Sequence, residues 1–148
     1  MTARICVVDA SVGVKWFRNE AGSADARQLL GAHIEGRQVI SVDSLFHYEV
    51  LAVAARDSNP GDALRVYDDL KRLDLVTVPL GAELLGAAVE VRATLGCSLY
   101  DAFSAGLADL LEAPLYSADA RAHGRHPRVR LLPTVAPARG TDDSVDKL

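Results

Sequence analysis

Cysteine and aromatic residues are scarce in this chain of 148 residues, which has two cysteines, one tryptophan, four tyrosines and three phenylalanines. Cys6 and Cys97 lie far apart and lack the Cys-x-x-Cys spacing of zinc and redox motifs. Each falls in a segment whose pattern predicts regular structure. We expect two buried, reduced thiols, because free cysteine is among the most buried residue types.

Long hydrophobic runs are also absent. The longest stretches without a charged residue reach no more than about half of the roughly 20 apolar residues that a membrane-spanning helix needs. No cationic leader precedes an apolar segment near residue 1. These features predict a cytoplasmic protein with no membrane association.

Positive charge is not in excess, since 16 lysines and arginines face 20 aspartates and glutamates for a formal net charge of −4. A broadly basic surface for nucleic acid is therefore excluded, and any such function needs another source of positive charge. Apolar residues make up 49% and charged residues 24% of the chain, as in ordinary globular domains. This composition excludes wholesale disorder, collagen-like repeats and coiled coils.

Short β-branched runs alternate with helical patterns along the chain. The predicted strands cover residues 5–8, 38–42, 75–78, 114–117 and 129–132. The first predicted helix begins at residue 11. The others cover 24–30, 45–56 with Ser44 as its cap, 62–73, 82–95 and 99–111. This alternation predicts an α/β three-layer sandwich with a central, mostly parallel sheet. We expect one domain over residues 1–133 and a flexible tail over 134–148, whose last residues resemble a cloning remnant.

Two acids follow predicted strands. Asp9 ends the run at 5–8, and Asp119 comes just after 114–117. Ligands of open parallel sheets bind at the carboxyl ends of strands, which favours a functional site here. The alternative for each residue is a helix or turn cap.

Glu49 shares a predicted helical stripe with Leu45, Ala52 and Val53. A core-facing glutamate needs a cation or a metal as partner, because it is almost never buried alone. Arg56 is the structural alternative for that partner.

Asp101 has small residues beside it on its predicted helix, at Ser104, Ala105 and Ala108. They leave room next to the carboxylate, although an acid in the first turn of a helix is also explained by the helix dipole.

Acids drawn from several elements to one sheet edge repel one another unless a cation lies between them. An oxygen-only donor set favours Mg²⁺, with Mn²⁺ as a substitute, over zinc.

The segments that carry these acids resemble the PIN-domain ribonucleases, and among them the VapC-type toxins of bacterial type II toxin–antitoxin pairs. The matching segments are VVDASV at 7–12 running into KWF at 15–17, HYEV at 47–50, YDA at 100–102 and SAD at 117–119. The resemblance covers about residues 3 to 133.

The resemblance implies that Asp9, Glu49, Asp101 and Asp119 are a catalytic, metal-binding quartet, with Ser117 as a supporting hydroxyl. It also implies Mg²⁺-dependent endonucleolytic hydrolysis of RNA, a homodimer and a cognate VapB-type antitoxin. Asp9 and Asp101 are expected to bind metal directly. We expect Asp9→Asn and Asp101→Asn to abolish cleavage, leave the fold intact and relieve repulsion in the metal-free protein.

Other residues have weaker interpretations. The acid-free stretch 121–130 contains four arginines, and it is either a solvated loop or an RNA-contacting rim formed above all by Arg121 and Arg125. His123 and His126 have an i, i+3 spacing, but Gly124 and Pro127 make a shared helix and a metal role improbable. Trp16 and Phe17 are core or interface residues.

Three other classes of protein have related sequence patterns. A phosphotransfer receiver domain needs a second acid near Asp9 and a late lysine, and a haloacid-dehalogenase-like phosphatase needs an acid where Ser11 stands. Neither pattern is present. A non-catalytic PIN scaffold that binds a protein or RNA partner is the remaining alternative, and the complete quartet counts against it.

Overall fold

Five parallel strands form the central sheet of the computed structural model, which describes residues 3–57 and 59–133. The strands are β1 (Arg4–Val8), β2 (Gln38–Asp43), β3 (Val76–Val78), β4 (Leu115–Ser117) and β5 (Val129–Leu131). Their order is β3-β2-β1-β4-β5, and every pairing is parallel. The predicted parallel sheet is therefore confirmed, whereas the predicted tail at 134–148 lies outside the described residues.

Seven helices connect and cover the strands in the described part of the chain. They are α1 (Ala10–Gly13), which continues into a 3-10 turn at Val14–Trp16, α2 (Ser23–Ile34), α3 (Ser44–Asp57), α4 (Pro60–Arg72), α5 (Ala82–Leu95), α6 (Leu99–Leu111) and α7 (Ala120–His123). The bounds of α5 and α6 match the prediction. Helix α3 begins one residue earlier than predicted because Asp43, and not Ser44, accepts the backbone N–H of Phe46 at 3.1 Å.

Two apolar cores lie on opposite faces of the sheet. One contains Cys6 and Val8 of β1 and the helical residue Phe46. The other contains Val7 with Leu107 and other residues of α5 and α6. Successive residues of β1 thus point into different cores, as a strand buried on both faces requires. The three-layer sandwich is confirmed.

The cysteines lie in different surroundings. Cys6 is fully buried in β1, and burial raises the pKa of its thiol to about 11. Cys97 lies in the connection between α5 and α6 and is only partly buried, so the expectation of regular structure and burial there was wrong. Both thiols are free. Within residues 3–57 and 59–133, every helix is too short or too polar to cross a bilayer.

Gly106 sets the spacing of α5 and α6. A Cβ at this position would lie 2.8 Å from the backbone nitrogen of Ala88, whereas one at Gly86 would have nothing within 4 Å. We expect Gly106→Ala to lower the free energy of unfolding by about 1–3 kcal/mol, because two packed backbones must separate. The matched Gly86→Ala change should cost nothing and gain up to about 1 kcal/mol. Urea denaturation of both variants checks this, and equal stabilities would contradict it.

Candidate active site

Five carboxylates line a cleft at the carboxyl edge of the sheet. Because the strands are parallel, the residues at the ends of β1, β2 and β4 meet at one edge. Helices α3 and α6 add a carboxylate each. The acids are Asp9, Asp43, Glu49, Asp101 and Asp119. The structure thus brings the whole predicted quartet together and adds Asp43, which was not predicted.

Three of these acids also cap the helix that follows them. Asp9 and Asp119 lie between a strand and a helix, Asp43 is the last residue of β2, and each accepts a backbone N–H with a side-chain oxygen. The donors are Val12, Phe46 and Ala122, at 3.4, 3.1 and 3.1 Å. The capping alternative for Asp9 and Asp119 is therefore correct, and it holds together with their place in the cleft.

Hydrogen bonds fix the Asp9 carboxylate on both oxygens. The Ser11 hydroxyl donates to Oδ1 at 2.5 Å, and the Ser117 hydroxyl donates to Oδ2 at 2.6 Å. The ring Nδ1 of His123 lies 3.0 Å from Oδ2. Asp9 is 8% exposed, so these donors replace most of its hydration. Ser117 thus supports Asp9 directly.

His123 is a buried basic residue of the site, and no pattern in the sequence indicates this position. It is 2% exposed, and its Nε2 lies 2.7 Å from the carbonyl oxygen of Asp101. Burial lowers its pKa, but the hydrogen bond and charge of Asp9, with the carbonyl and carboxylate of Asp101, outweigh burial and raise the pKa to about 9. An imidazolium, which donates from both nitrogens, suits the two acceptors. Within the stretch 121–130 both His123 and His126 are buried, whereas Arg121 and Arg125 are exposed.

Glu49 stands at the exposed mouth of the cleft and not on the core face of α3. The core positions of this helix are Phe46 and Val50, so the predicted stripe was wrong. Arg56 is exposed, and no ion pair joins it to Glu49 within the described ranges. Partial burial, followed by the charges of Asp43, Asp9 and Asp101, raises the pKa of Glu49 to about 7.

Asp43 is also influenced by burial and by a neighbouring carboxylate, and at 6% exposure it lies deeper than Glu49. Burial raises the pKa of its carboxyl, and the charge of Asp9 raises it further. The hydrogen bonds that Asp43 accepts from backbone N–H groups, such as that of Phe46, only partly offset this increase. A cleft that disfavours ionisation of two of its acids is one that a cation would stabilise.

The raised pKa of Glu49 predicts a pH dependence of stability in metal-free solution. Between pH 4.5 and about 7 the folded protein holds more protons on this group than the unfolded chain, so its contribution to stability falls as pH rises. Glu49→Gln removes that loss. We expect the stability of Glu49→Gln relative to the parent to be greater at pH 8 than at pH 4.5, by urea denaturation in EDTA. The same difference at both pH values would show that Glu49 ionises normally.

Asp101 has the freest carboxylate of the cleft. Its backbone N–H is accepted by the Ser98 hydroxyl at 3.1 Å, which caps α6, but its carboxylate accepts no hydrogen bond from any residue the structure describes. The small neighbours predicted for it, Ser104, Ala105 and Ala108, are buried. The side chain is therefore available to a ligand.

The donor chemistry of the cleft fits Mg²⁺. All candidate ligands are carboxylate oxygens, which hard cations prefer. Over the described ranges, no three acid, histidine or cysteine side chains are grouped closely enough to enclose an ion by themselves. Mg²⁺ does not need such a cage, because it keeps several waters and is held by one or two carboxylates together with substrate phosphate.

The predicted arginine rim lies outside this cleft. Arg125 hydrogen-bonds the carbonyl oxygen of Leu95 at the end of α5, and Arg128 pairs with Asp109. Arg121 is exposed and has no ion pair within residues 3–57 and 59–133. An RNA contact by Arg121 or Arg125 stays a prediction.

The two aromatic residues after Asp9 are buried to different degrees, and an interface role for Phe17 stays a prediction. Trp16 is 7% exposed, and its indole N–H donates to the carbonyl oxygen of Ala26 at 2.9 Å, so it belongs to the core. Phe17 is partly buried and lines a groove of about 300 Å³ between the 3-10 turn and helices α3 and α4.

Comparison with known proteins agrees with this geometry. The family model for the PIN domain matches residues 6–127, and the chain therefore belongs to the PIN-domain family. No curated protein matches.

Solved structures share the fold at low identity. A toxin–antitoxin complex from Klebsiella pneumoniae is 16% identical, with a TM-score of 0.71 over 88% of this chain and 99% of that one. VapBC2 from Rickettsia felis, bound to a DNA fragment from its promoter, is 16% identical, with a TM-score of 0.65 over 86% and 96%. Mycobacterium tuberculosis VapC20, described as a sarcin–ricin loop cleaving toxin, is 15% identical, with a TM-score of 0.64 over 90% and 99%.

Proposed function

We propose that this PIN domain is a Mg²⁺-dependent endoribonuclease and the toxin of a toxin–antitoxin pair. The observation that carries the proposal is the convergence of Asp9, Glu49, Asp101 and Asp119 on one cleft at the carboxyl edge of the sheet. The toxin–antitoxin complexes and the RNA-cleaving toxin among the structures of the same fold support it.

The acidic residues of the cleft would have different roles in metal binding. Asp9 and Asp101 would hold Mg²⁺ directly, and Glu49 and Asp119 would act through water or complete a second metal site. When bound, Mg²⁺ supplies an activated water and neutralises the charge that develops on the phosphodiester. In the metal-free cleft the pKa of Glu49 is raised to about 7, and a cation bound beside it would favour the ionised carboxylate.

Cleavage of total RNA tests this function. The purified chain should cut RNA in Mg²⁺ or Mn²⁺ and should not cut it in EDTA. If the folded chain cuts no RNA under any metal condition, the enzyme assignment fails and the PIN scaffold that only binds a partner takes its place.

A groove beside the cleft-bearing helix α3 supports the proposed antitoxin partner. It is lined by apolar side chains that include Val14, Phe17 and Val66, and by charged residues of α3 and α4. Expression of the chain should arrest bacterial growth, and a VapB-type antitoxin encoded with it should restore growth. Phe17→Asp should still arrest growth but resist the antitoxin. Full rescue of this variant would place the antitoxin elsewhere.

An exposed apolar surface supports the proposed homodimer. Tyr48, Leu80 and Tyr100 are 74%, 67% and 69% exposed beside the cleft. A patch of this kind on a globular protein is typical of an interaction site. Sedimentation equilibrium should give twice the chain mass of 15.8 kDa, and a monomer at micromolar concentration would contradict the proposal. The cytoplasmic location stays a prediction.

A further inference from the structure

His123 is buried in the active-site cleft, yet the proposed chemistry gives it no task. Its Nδ1 lies 3.0 Å from Oδ2 of Asp9, and its Nε2 lies 2.7 Å from the backbone carbonyl oxygen of Asp101. Both ring nitrogens therefore have an acceptor within hydrogen-bonding distance. Two hydroxyls complete the surroundings, with Ser117 Oγ 3.0 Å from Nδ1 and Ser104 Oγ 3.3 Å from Nε2.

These contacts join three elements that carry carboxylates. His123 is the last residue of α7, whose N-cap is Asp119. Its ring reaches the residue after β1 on one side and the first turn of α6 on the other. Because His123 is 2% exposed, little water is available to replace it as the hydrogen-bond partner of Asp9 and Asp101.

We propose that His123 is a positioning residue for the metal site. Through Nδ1 it holds the Asp9 carboxylate, and through Nε2 it holds the first turn of α6, so that Asp9 and Asp101 are oriented before an ion arrives. Groups that orient metal ligands typically contribute 10–100-fold to metal affinity. The inference rests on the metal binding of the proposed function, but it does not depend on the identity of the RNA or on cleavage.

Two substitutions separate the two contacts. An asparagine amide takes about the place of ring Nδ1, and a glutamine amide takes about the place of Nε2. His123→Asn should therefore keep the bond to Asp9, and His123→Gln should lose it. By isothermal titration of the full chain with Mg²⁺ or Mn²⁺, we expect His123→Gln, which loses the contact to Asp9, to bind about 10–100-fold more weakly than the parent. His123→Asn, which loses only the contact to the carbonyl of Asp101, should lose less affinity than His123→Gln.

His126→Gln is the matched control. His126 is 5% exposed, and its Nε2 lies 3.1 Å from Asp109, outside the cleft. This variant should show the same metal affinity as the parent, with urea denaturation of all variants to establish folding. A parallel loss in His126→Gln would show that affinity follows general stability, which would overturn the proposal.

The other outcomes are distinct. Unchanged metal affinity in His123→Gln would overturn the positioning role alone, whereas a parent that binds neither ion would remove the proposed metal chemistry as well. Tighter binding in His123→Gln would show that His123 competes with the metal as a cation, which also overturns the proposal.

A measurement on the unmodified protein does not depend on the folding of any variant. In ¹⁵N-edited NMR spectra, the His123 Nδ1–H signal should be protected from exchange with water and should persist when Mg²⁺ is added. Its loss on metal addition would show that Asp9 leaves His123 when an ion binds, and the proposal would be wrong.

Discussion

Asp101→Asn is expected to reduce Mg²⁺-dependent RNA cleavage by about 1000-fold or more, because a metal-held charge contributes several kcal/mol to stabilising the transition state. The free energy of unfolding should change by no more than about 0.5 kcal/mol. In the described structure the Asp101 carboxylate accepts no hydrogen bond, so the amide breaks none. A single-turnover assay and urea denaturation measure the two quantities.

The matched control for Asp101→Asn is Asp109→Asn on the same helix. Asp109 pairs with Arg128 away from the cleft, so its loss should leave cleavage unchanged. Parent-like cleavage by a folded Asp101→Asn protein would remove Asp101 from the site.

Asp9→Asn should abolish cleavage and also destabilise the metal-free protein, by about 3 kcal/mol. The expected relief of repulsion does not agree with the contacts, because Asp9 is ion-paired with His123 and accepts hydrogen bonds from Ser11 and Ser117. The NH₂ group of an asparagine would face either the Ser11 hydroxyl or the Ser117 hydroxyl and His123, and these groups donate hydrogen bonds to the carboxylate in the parent protein. Chemical denaturation in EDTA measures the loss, and a more stable variant would contradict the ion pair.

The stability loss in Asp9→Asn should depend on pH. The pKa of folded His123 is raised to about 9, above its ordinary value of 6.5. A raised basic pKa stabilises the fold fully below 6.5, and this contribution disappears as pH rises through 9. The difference between parent and Asp9→Asn should therefore be larger at pH 6.5 than at pH 10. A difference that does not vary would show that the ion pair contributes nothing.

The sequence predicted those elements whose signals are local. Residues 82–95 formed α5 as predicted because Gly96, at φ 72°, ends the helix in the left-handed region that glycine favours. The run before Asp9 predicted a strand buried on both faces, and β1 is the middle strand of the sheet. Strand ends also located Asp9 and Asp119 correctly.

The face of α3 could not be predicted from its periodicity. The helix is apolar at Leu45, Phe46, Val50 and Val53, which span an arc of about 140° around the helix axis, so the pattern fits several orientations. Packing selected Phe46 and Val50, and Glu49 therefore lies in the cleft without being buried in the core. Glu49 thus lies in the acidic cleft, as predicted, but it does not lie on the buried face of α3 from which the prediction was argued.

Asp43 and His123 were missed for different reasons. The rule that predicts a site at Asp9 and Asp119 applies equally to Asp43, but the predicted strand ends at residue 42 and Ser44 is the predicted cap. His123 gave no such signal. Its contacts to Asp9 and Asp101 join residues far apart in the chain, and only the folded sheet brings them together.

The chemistry of the cleaved ends tests metal-dependent hydrolysis most directly. A metal-activated water does not use the ribose 2′-hydroxyl as nucleophile, so the products should carry 5′-phosphate and 3′-hydroxyl ends. Ligation-dependent sequencing of 5′ ends, from cells expressing the parent or Asp101→Asn, reads these ends and the cut sites together. We expect new 5′-phosphate ends with the parent alone. Products with 2′,3′-cyclic phosphate, or the same new ends with Asp101→Asn, would contradict hydrolysis by this carboxylate cleft.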